Sequence, residues 1–406
     1  LNLSHFIAQR ISSGQKDGFS VTVYKIAIIS IGVGLAAAIV SFLIMLGFQE
    51  AVKKKMYSFS GHVVVTKFSM NNSVEETPLS YNIDLFNHTD RFEGVRHVQE
   101  YAYKTGLIKT DSEILGVFIK GVSNRFDTIA FSENLVKGRF LHFPDSAVAN
   151  EVVVSNVIAS KLRLNVGDNV VVHFFQNPPR FRKLTIAGIY ETNLSEYFDD
   201  KVIISDIRMV QRLNDWADSL AGGLEIFVKD VSNVDAVAES IGETIDYDLN
   251  ITTTRDKYIQ VFEWLSLVNR QVKILLAIIL IVICVNMISI VLIMVMERTS
   301  MIGMLKAMGG NNGLIRKIFI NTGVRLILRG LLLGNVLGLG LCYIQYRFKI
   351  IGLNPHDYYI SYVPVYWSWP TVVLLNALVF AVVTLVLLVP TMAIACVLPI
   401  KAIKFD

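Results

Sequence analysis

The residue types that do chemistry form few patterns in this sequence. Cys284, Cys342 and Cys396 all fall inside apolar runs, and the long polar stretch holds no cysteine. Without a Cys/His pattern at zinc spacing, they read as buried small hydrophobes rather than ligands or disulfide partners. No Gly-x-x-x-x-Gly-Lys-Ser/Thr loop exists to cradle nucleotide phosphates. Nor is there a Gly-x-Ser-x-Gly elbow, a His-Glu-x-x-His motif or a matched carboxylate pair to supply a nucleophile, metal or general acid and base. The expectation is a chain with no catalytic site, no metal and no cofactor of its own. A net charge of +4, scattered along the chain, also speaks against a nucleic-acid surface.

Two stretches suit recognition instead. From Glu297 the chain reads Glu-Arg-Thr-Ser-Met-Ile-Gly-Met-Leu-Lys-Ala-Met-Gly-Gly. Met301, Leu305 and Met308 recur at helical spacing with Ile302 beside them. Gly309-Gly310 stops the helix, and Asn311 or Asn312 caps the next. This short amphipathic helix suits either a headgroup surface or a partner's groove. The second stretch is Gln176-Asn177-Pro178-Pro179-Arg180-Phe181-Arg182-Lys183, a stiff loop between two strands. It reads as a solvated hairpin or as a protruding contact for a soluble partner.

The elements that must position these stretches follow from composition. Hydrophobic residues make up 53% of the 406 and charged ones only 18%, a balance that points to lipid-facing segments. Four apolar runs are long enough to cross a membrane, at 26–48, 270–297, 318–346 and 371–398. The first lacks a cleavage pattern and reads as an anchor, not a removed signal. The third should begin ahead of its clean stretch at Gly330, with Arg325 and Arg329 near the headgroups. Pro390 should kink or end the fourth. Lysines and arginines gather before the first run (Arg10, Lys16, Lys25), between the second and third (Arg298, Lys306, Arg316, Lys317) and after the fourth (Lys401, Lys404). Both termini and the 298–317 loop therefore read as cytoplasmic. Lys53-Lys54-Lys55, just past the first run, disagrees.

Between the first two runs lies an expected extracytoplasmic α+β domain, 49–269. It divides into a membrane-proximal lobe (about 49–144 and 222–269) and an inserted β-rich lobe (about 145–221). The remaining pieces are an N-terminal amphipathic segment (1–25), an outer loop (347–370) and a cytoplasmic tail (399–406). The fold class is thus an α-helical membrane protein with four transmembrane helices and a large two-lobed α+β domain.

The stretch from Glu297-Arg298-Thr299 to Leu305-Lys306-Ala307-Met308-Gly309, with Ile315-Arg316-Lys317-Ile318-Phe319, resembles the coupling-helix segment of the FtsX-like/MacB-type ABC permease superfamily. Within it the chain is similar to the lipoprotein-releasing permeases. Met45, Gly47 and Phe48, Gly138-Arg139-Phe140, Glu151 to Ser155, Val166-Gly167-Asp168 and Pro390-Thr391-Met392-Ala393 with Pro399 extend the resemblance over nearly the full length. The arginines usual after the first of these prolines are absent.

The resemblance implies a permease in the inner membrane of a Gram-negative bacterium, paired with a second permease subunit, identical or homologous. A cytoplasmic ATPase dimer carrying ATP and Mg would grip Glu297, Arg298, Thr299, Ile302, Gly303, Leu305, Lys306, Met308 and Gly309. Lipoprotein cargo would leave the outer leaflet and pass to a periplasmic carrier, with Pro178, Pro179, Arg180, Phe181 and Arg182 placed where carrier-recruiting relatives have a hook. Here that hook is short. Moving an acyl chain into water costs about 0.8 kcal/mol per methylene, so cargo needs an apolar cradle, for which Met45, Phe48, Leu265 and Val268 are candidates. A MacB-like efflux permease and an FtsX-like mechanotransmitter acting on a periplasmic hydrolase are the alternatives. Gly330, Gly334 and Gly338 read as a close-packing stripe rather than a cargo path.

Overall fold

The computed structural model describes residues 19–69, 75–110, 113–145, 147–354 and 358–392. The described residues form two compact units, one of 19–50, 264–352 and 362–392, the other within 51–263 and 353–361. Helix α1 (Phe19–Ser60) carries the chain from the first into the second. Its apolar part is rich in Ala, Leu and Ile. Past Glu50 the good helix formers Ala51-Val52-Lys53-Lys54-Lys55-Met56 prolong it well beyond the expected end at 48. Gly61 stops it at φ +65°, where an added Cβ would lie 3.1 Å from the Ile226 carbonyl oxygen.

The second unit is an α+β domain. Its elements in order are β1 (Val63–Lys67), β2 (Leu79–Ser80), α2 (Asp84–Asn87), β3 (Val95–Lys109), β4 (Ile114–Val122), α3 (Thr128–Phe131), β5 (Leu135–Gly138), β6 (Glu151–Ser155), α4 (Asn156–Leu162), β7 (Asn169–Phe174), β8 (Arg180–Tyr190), β9 (Val202–Asp206), α5 (Ile207–Leu213), β10 (Leu220–Ala221), β11 (Gly223–Val228), α6 (Val234–Gly242), β12 (Leu249–Thr253) and α7 (Thr254–Lys257). One sheet runs β12-β1-β11-β3-β4-β9-β6-β8-β5, with β7 paired to both β3 and β8. Most pairs are antiparallel, while β4–β9 and β6–β8 are parallel. Two apolar cores lie on this sheet. Val63, Val65, Leu224, Ile226 and Ile241 belong to one core, and Val152, Ile158, Leu184, Ile203 and Val210 to the other. Strand β3 serves both, through Val98 in the first and Ile108 in the second.

The first unit holds α8 (Ile259–Glu297, from Trp264 on), α9 (Thr299–Ala307), α10 (Asn312–Phe348), α11 (Trp369–Val386) and α12 (Leu388–Met392). By length and composition four helices can cross a membrane: α1, α8, α10 and the α11–α12 segment. Residues 259–269, expected in the membrane-proximal lobe, are helical as the start of α8, with 259–263 inside the α+β unit, and 312–317, expected in the cytoplasmic loop, open α10. The fourth helix breaks at Leu387, close to Pro390, which has no N–H to give the Val386 carbonyl one turn back. The segment 1–18 and the tail from 393, which includes Cys396, Pro399, Lys401 and Lys404, lie outside the described residues.

Glycines set the spacing between α1 and α10. A Cβ on Gly330 would lie 2.7 Å from Ile31 Cβ, one on Gly334 2.8 Å from the Gly32 carbonyl oxygen, and one on Gly338 3.1 Å from Ala36 Cα. The stripe lets the two backbones approach closely, as small residues do where lipid supplies no hydrophobic drive. Asn335 and Asn376 join α10 to α11 through reciprocal amide hydrogen bonds of 2.7 and 3.0 Å.

Candidate functional site

The stretch after α8 folds as a short helix with a well-formed C-terminal ending. Gly310 N donates to the Leu305 carbonyl at 2.8 Å and Gly309 N to that of Lys306 at 3.0 Å, with Gly309 at φ +90°. This is a Schellman ending, which needs a residue that tolerates the left-handed region. Asn311 Oδ1 then accepts from Leu314 N at 2.7 Å and caps α10. The geometry divides the residues expected to meet a partner. Ile302 is fully buried, Gly303 is buried, and Leu305 and Met301 are half-buried against the core that contains Ile315 and Phe319. Ile302 and Gly303 therefore hold the helix down, and the surface left open on it belongs to its other residues. Exposed are Glu297, Met304, Met308 and Gly309, with Arg298, Thr299 and Lys306 partly so. Met304, 54% exposed, escaped the sequence reading because the apolar spacing from Met301 drew attention to the inward face.

The expected cradle residues are for the most part covered as well. Met45, Phe48 and Leu265 are buried, and Phe48 packs edge-to-face on Trp264 at 5.2 Å between ring centroids. Gln49 Nε2 donates to the Leu265 carbonyl at 3.3 Å. These side chains serve α1–α8 packing, and of the four only Val268 is partly open. The apolar surface left accessible on α8 is a different stripe, Leu267, Ile274, Ile278, Ile281 and Val285, which recurs at helical spacing.

The expected Pro-Pro loop is shorter than its sequence suggests. Strand β8 begins at Arg180, opposite Phe174, and His173 pairs with Phe181, so Arg180, Phe181 and Arg182 are strand residues. Pro178 and Pro179 sit exposed at the tip. Arg180 points back into the domain: its Nη2 meets both Asp215 oxygens at 3.0 and 3.1 Å, and its Nη1 donates to the Arg212 carbonyl at 2.8 Å. It braces the hairpin on the end of α5. Phe181, 65% exposed, and Phe175, 80% exposed, are the apolar surface it presents.

One buried polar cluster went unread in the sequence. Lys120 on β4 has no solvent exposure; its Nζ reaches Glu225 Oε1 on β11 at 2.6 Å and donates to the Phe59 carbonyl in the last turn of α1. Gln99 on β3 donates to Glu225 Oε2 at 2.8 Å and accepts from Asp127 N at 2.8 Å. Burial lowers the Lys120 pKa, and Glu225 beside it opposes the drop. A cation on the terminal carbonyls of a helix satisfies groups the helix cannot, and it favours the helix dipole. The signal was a lone lysine in Val117-Phe118-Ile119-Lys120 and a lone glutamate in Leu224-Glu225-Ile226.

Comparison with known proteins places this architecture. The MacB-like periplasmic core domain matches residues 26–244, more than half of the chain, and the FtsX-like permease C-terminal model matches 273–397. The chain belongs to the MacB/FtsX-like permease family. Among curated relatives it is 21% identical to the lipoprotein-releasing system transmembrane protein LolC of Neisseria meningitidis, over 97% of this chain and 96% of that protein. It is 22% identical to LolE of Haemophilus influenzae over the whole of both chains. Among solved structures, the periplasmic region of MacB from Actinobacillus actinomycetemcomitans aligns with 50% of this permease and 92% of that chain, at 13% identity and a TM-score of 0.35.

Proposed function

We propose that this chain is the permease subunit of an ATP-driven system that releases lipoproteins from the outer leaflet of the inner membrane to a periplasmic carrier. The observation that carries the reading is length: relatives named as lipoprotein-releasing transmembrane proteins match across both the α+β domain and the helices. Permeases of this family work with an ATPase and a second permease subunit. In this reading α9 is the seat of the ATPase, with Met304, Met308, Glu297 and Lys306 as its contacts. ATP-driven movement would pass through the helices, with no chemistry performed by this chain. The accessible α8 stripe from Leu267 to Val285 replaces the buried Met45, Phe48 and Leu265 as the apolar surface for acyl chains. The hairpin tip at Pro178 and Pro179, with Phe175 and Phe181, is the contact offered to a carrier.

Depletion of the protein in its native cell, followed by membrane fractionation, tests the reading. Outer-membrane lipoproteins should accumulate in the inner membrane before growth stops. Normal lipoprotein sorting after full depletion would sink it and leave export of another substrate, or control of a periplasmic hydrolase.

A further inference from the structure

A polar cavity of about 300 Å³ opens in the α+β domain beside the end of β9, α5 and the loop ahead of β6. Its inner wall carries Glu100 and Gln211, only 6% and 2% exposed, and its rim carries the exposed Asp145 and Asp218. Gln211 Nε2 donates to the carbonyls of Asp218 and Leu220 at 3.2 and 2.8 Å, which turns Oε1 into a free acceptor. That Oε1 and Glu100 Oε2 are both buried without a hydrogen-bond partner. Two donor side chains of the wall, Arg208 and Tyr81, are turned to other partners. Arg208 gives Nε and Nη2 to Asp206 and Nη1 to the Pro144 carbonyl, and the Tyr81 hydroxyl goes to the Asp218 carbonyl. With Arg208 taken by Asp206, the carboxylates Glu100, Asp145 and Asp218 leave the cavity acidic. The Tyr81 phenol registers that field: burial raises its pKa first, then Glu100 and Asp218, while Arg125 lowers it.

Buried acceptors without donors are costly, and a buried carboxylate more so. A ligand that relieves both must bring N–H groups and positive charge. Among the described residues no group of three His, Cys, Asp or Glu side chains could hold a metal ion, so the charge suits an organic cation. We propose that this cavity binds a primary ammonium or guanidinium group, held by Glu100 and Gln211 inside and by the Asp145 and Asp218 carboxylates at the mouth. The group can come from a free organic amine or from a lysine or arginine side chain of a polypeptide; the recognition chemistry is the same.

Calorimetric titration of the full-length protein in detergent tests this with butylammonium, butylguanidinium, an end-blocked Gly-Arg-Gly peptide and tetramethylammonium. Saturable binding of at least one N–H cation is expected, with tetramethylammonium, which has the charge but no donors, at least tenfold weaker. Glu100→Gln should weaken binding at least tenfold, and Glu239→Gln, in a separate cleft, should leave it unchanged. Binding of the free cations identifies a small-molecule site, and binding of the peptide alone identifies a polypeptide side chain. Should Glu100→Gln fail to fold, Asp218→Asn on the exposed rim probes the same field and should weaken binding several-fold. No saturable binding to folded wild type, equal binding of tetramethylammonium, or unchanged affinity in the folded carboxylate variants overturns the proposal. The readout is binding alone, so its failure leaves the lipoprotein-release reading untouched.

Discussion

Lys120 and Glu225 form the kind of pair whose halves depend on each other. Desolvating two charges costs about as much as their attraction returns, whereas removing one partner leaves the other buried and uncompensated. Lys120→Met should therefore destabilise the protein by about 3–5 kcal/mol, read as a lowered melting temperature in detergent. It would also free the Phe59 carbonyl at the end of α1. Combining it with Glu225→Met should recover part of the loss, because no lone charge then remains. A double variant worse than Lys120→Met would show that the pair is not the main partner of either residue. A second residue-scale effect concerns pH. Burial pushes the Glu76 carboxyl up to about 7 from its ordinary 4.5, with Lys257 pulling the other way. The folded state then holds the proton more tightly than the unfolded chain does. The stability linked to Glu76 is complete below pH 4.5 and falls away as pH rises to about 7, a loss of about 3 kcal/mol at 1.36 per pKa unit. His62 acts with the opposite sign: burial lowers it from 6.5 to about 4, so its contribution is complete above pH 6.5 and declines toward 4. Between pH 4.5 and 6.5 the two slopes oppose each other. Melting curves of Glu76→Gln should rise above wild type at pH 8, match it near pH 4.5, and expose the histidine slope that wild type masks.

Helices α9 and α10 turn a sequence pattern into two faces that mutagenesis can separate. Ile302 is buried in the helical core and Met304 and Met308 are open, so substitutions on the two faces should differ in kind. Ile302→Asn places an amide in an apolar site and should cost about 2–4 kcal/mol. Met304→Glu with Met308→Glu should leave the melting temperature within a degree or two while lowering ATP turnover of the assembled transporter several-fold. Equal turnover at unchanged stability would remove α9 as the ATPase seat. On α10, Gly334→Val would drive a side chain against the Gly32 carbonyl and Leu35 Cβ, each 2.8 Å from an added Cβ. It should destabilise by about 1–3 kcal/mol or more, whereas Gly340→Val, which meets nothing within 4 Å, should be tolerated. The long apolar helices and the glycine stripe were legible because length, charge depletion and four-residue spacing are unambiguous. Strands such as β6 and β7 were legible as short β-branched runs. Strand β3 was not. Its fifteen residues, Val-Arg-His-Val-Gln-Glu-Tyr-Ala-Tyr-Lys-Thr-Gly-Leu-Ile-Lys, are buried on both faces at the centre yet carry Gln99 and Glu100 there. Glu225 on β11 gives Gln99 a partner there, and no local pattern announces either polar residue. The site residues suffered the same way, since spacing told which residues share a face of α9 but not which face would be covered.

For the whole molecule, charge predicts which side of the membrane each part occupies, in a testable form. Positive residues in short loops and near helix ends stay on the cytoplasmic side. Arg298, Lys306, Arg316 and Lys317 cluster around α9, whereas the last turn of α10 and the segment from there to α11 have Arg347 and Lys349 alone. The contrary signal was Lys53-Lys54-Lys55. In the fold these lysines are not a loop at all: they lie on α1 within the α+β domain's unit. Lys54 pairs with Glu133 at 2.7 Å and Lys55 donates to the Tyr359 carbonyl at 3.4 Å. Lysines committed to a translocated folded domain carry little weight in a rule that governs short flanking segments. The expected topology puts the α+β domain outside and α9 inside. With the native cysteines replaced by alanine, Ser132→Cys should react with a membrane-impermeant maleimide in cells whose outer membrane alone is permeabilised. Ser300→Cys should react only once the inner membrane is broken. Labelling in the reverse order would invert the molecule, put α9 out of reach of any cytoplasmic ATPase, and overturn the coupling role along with the orientation.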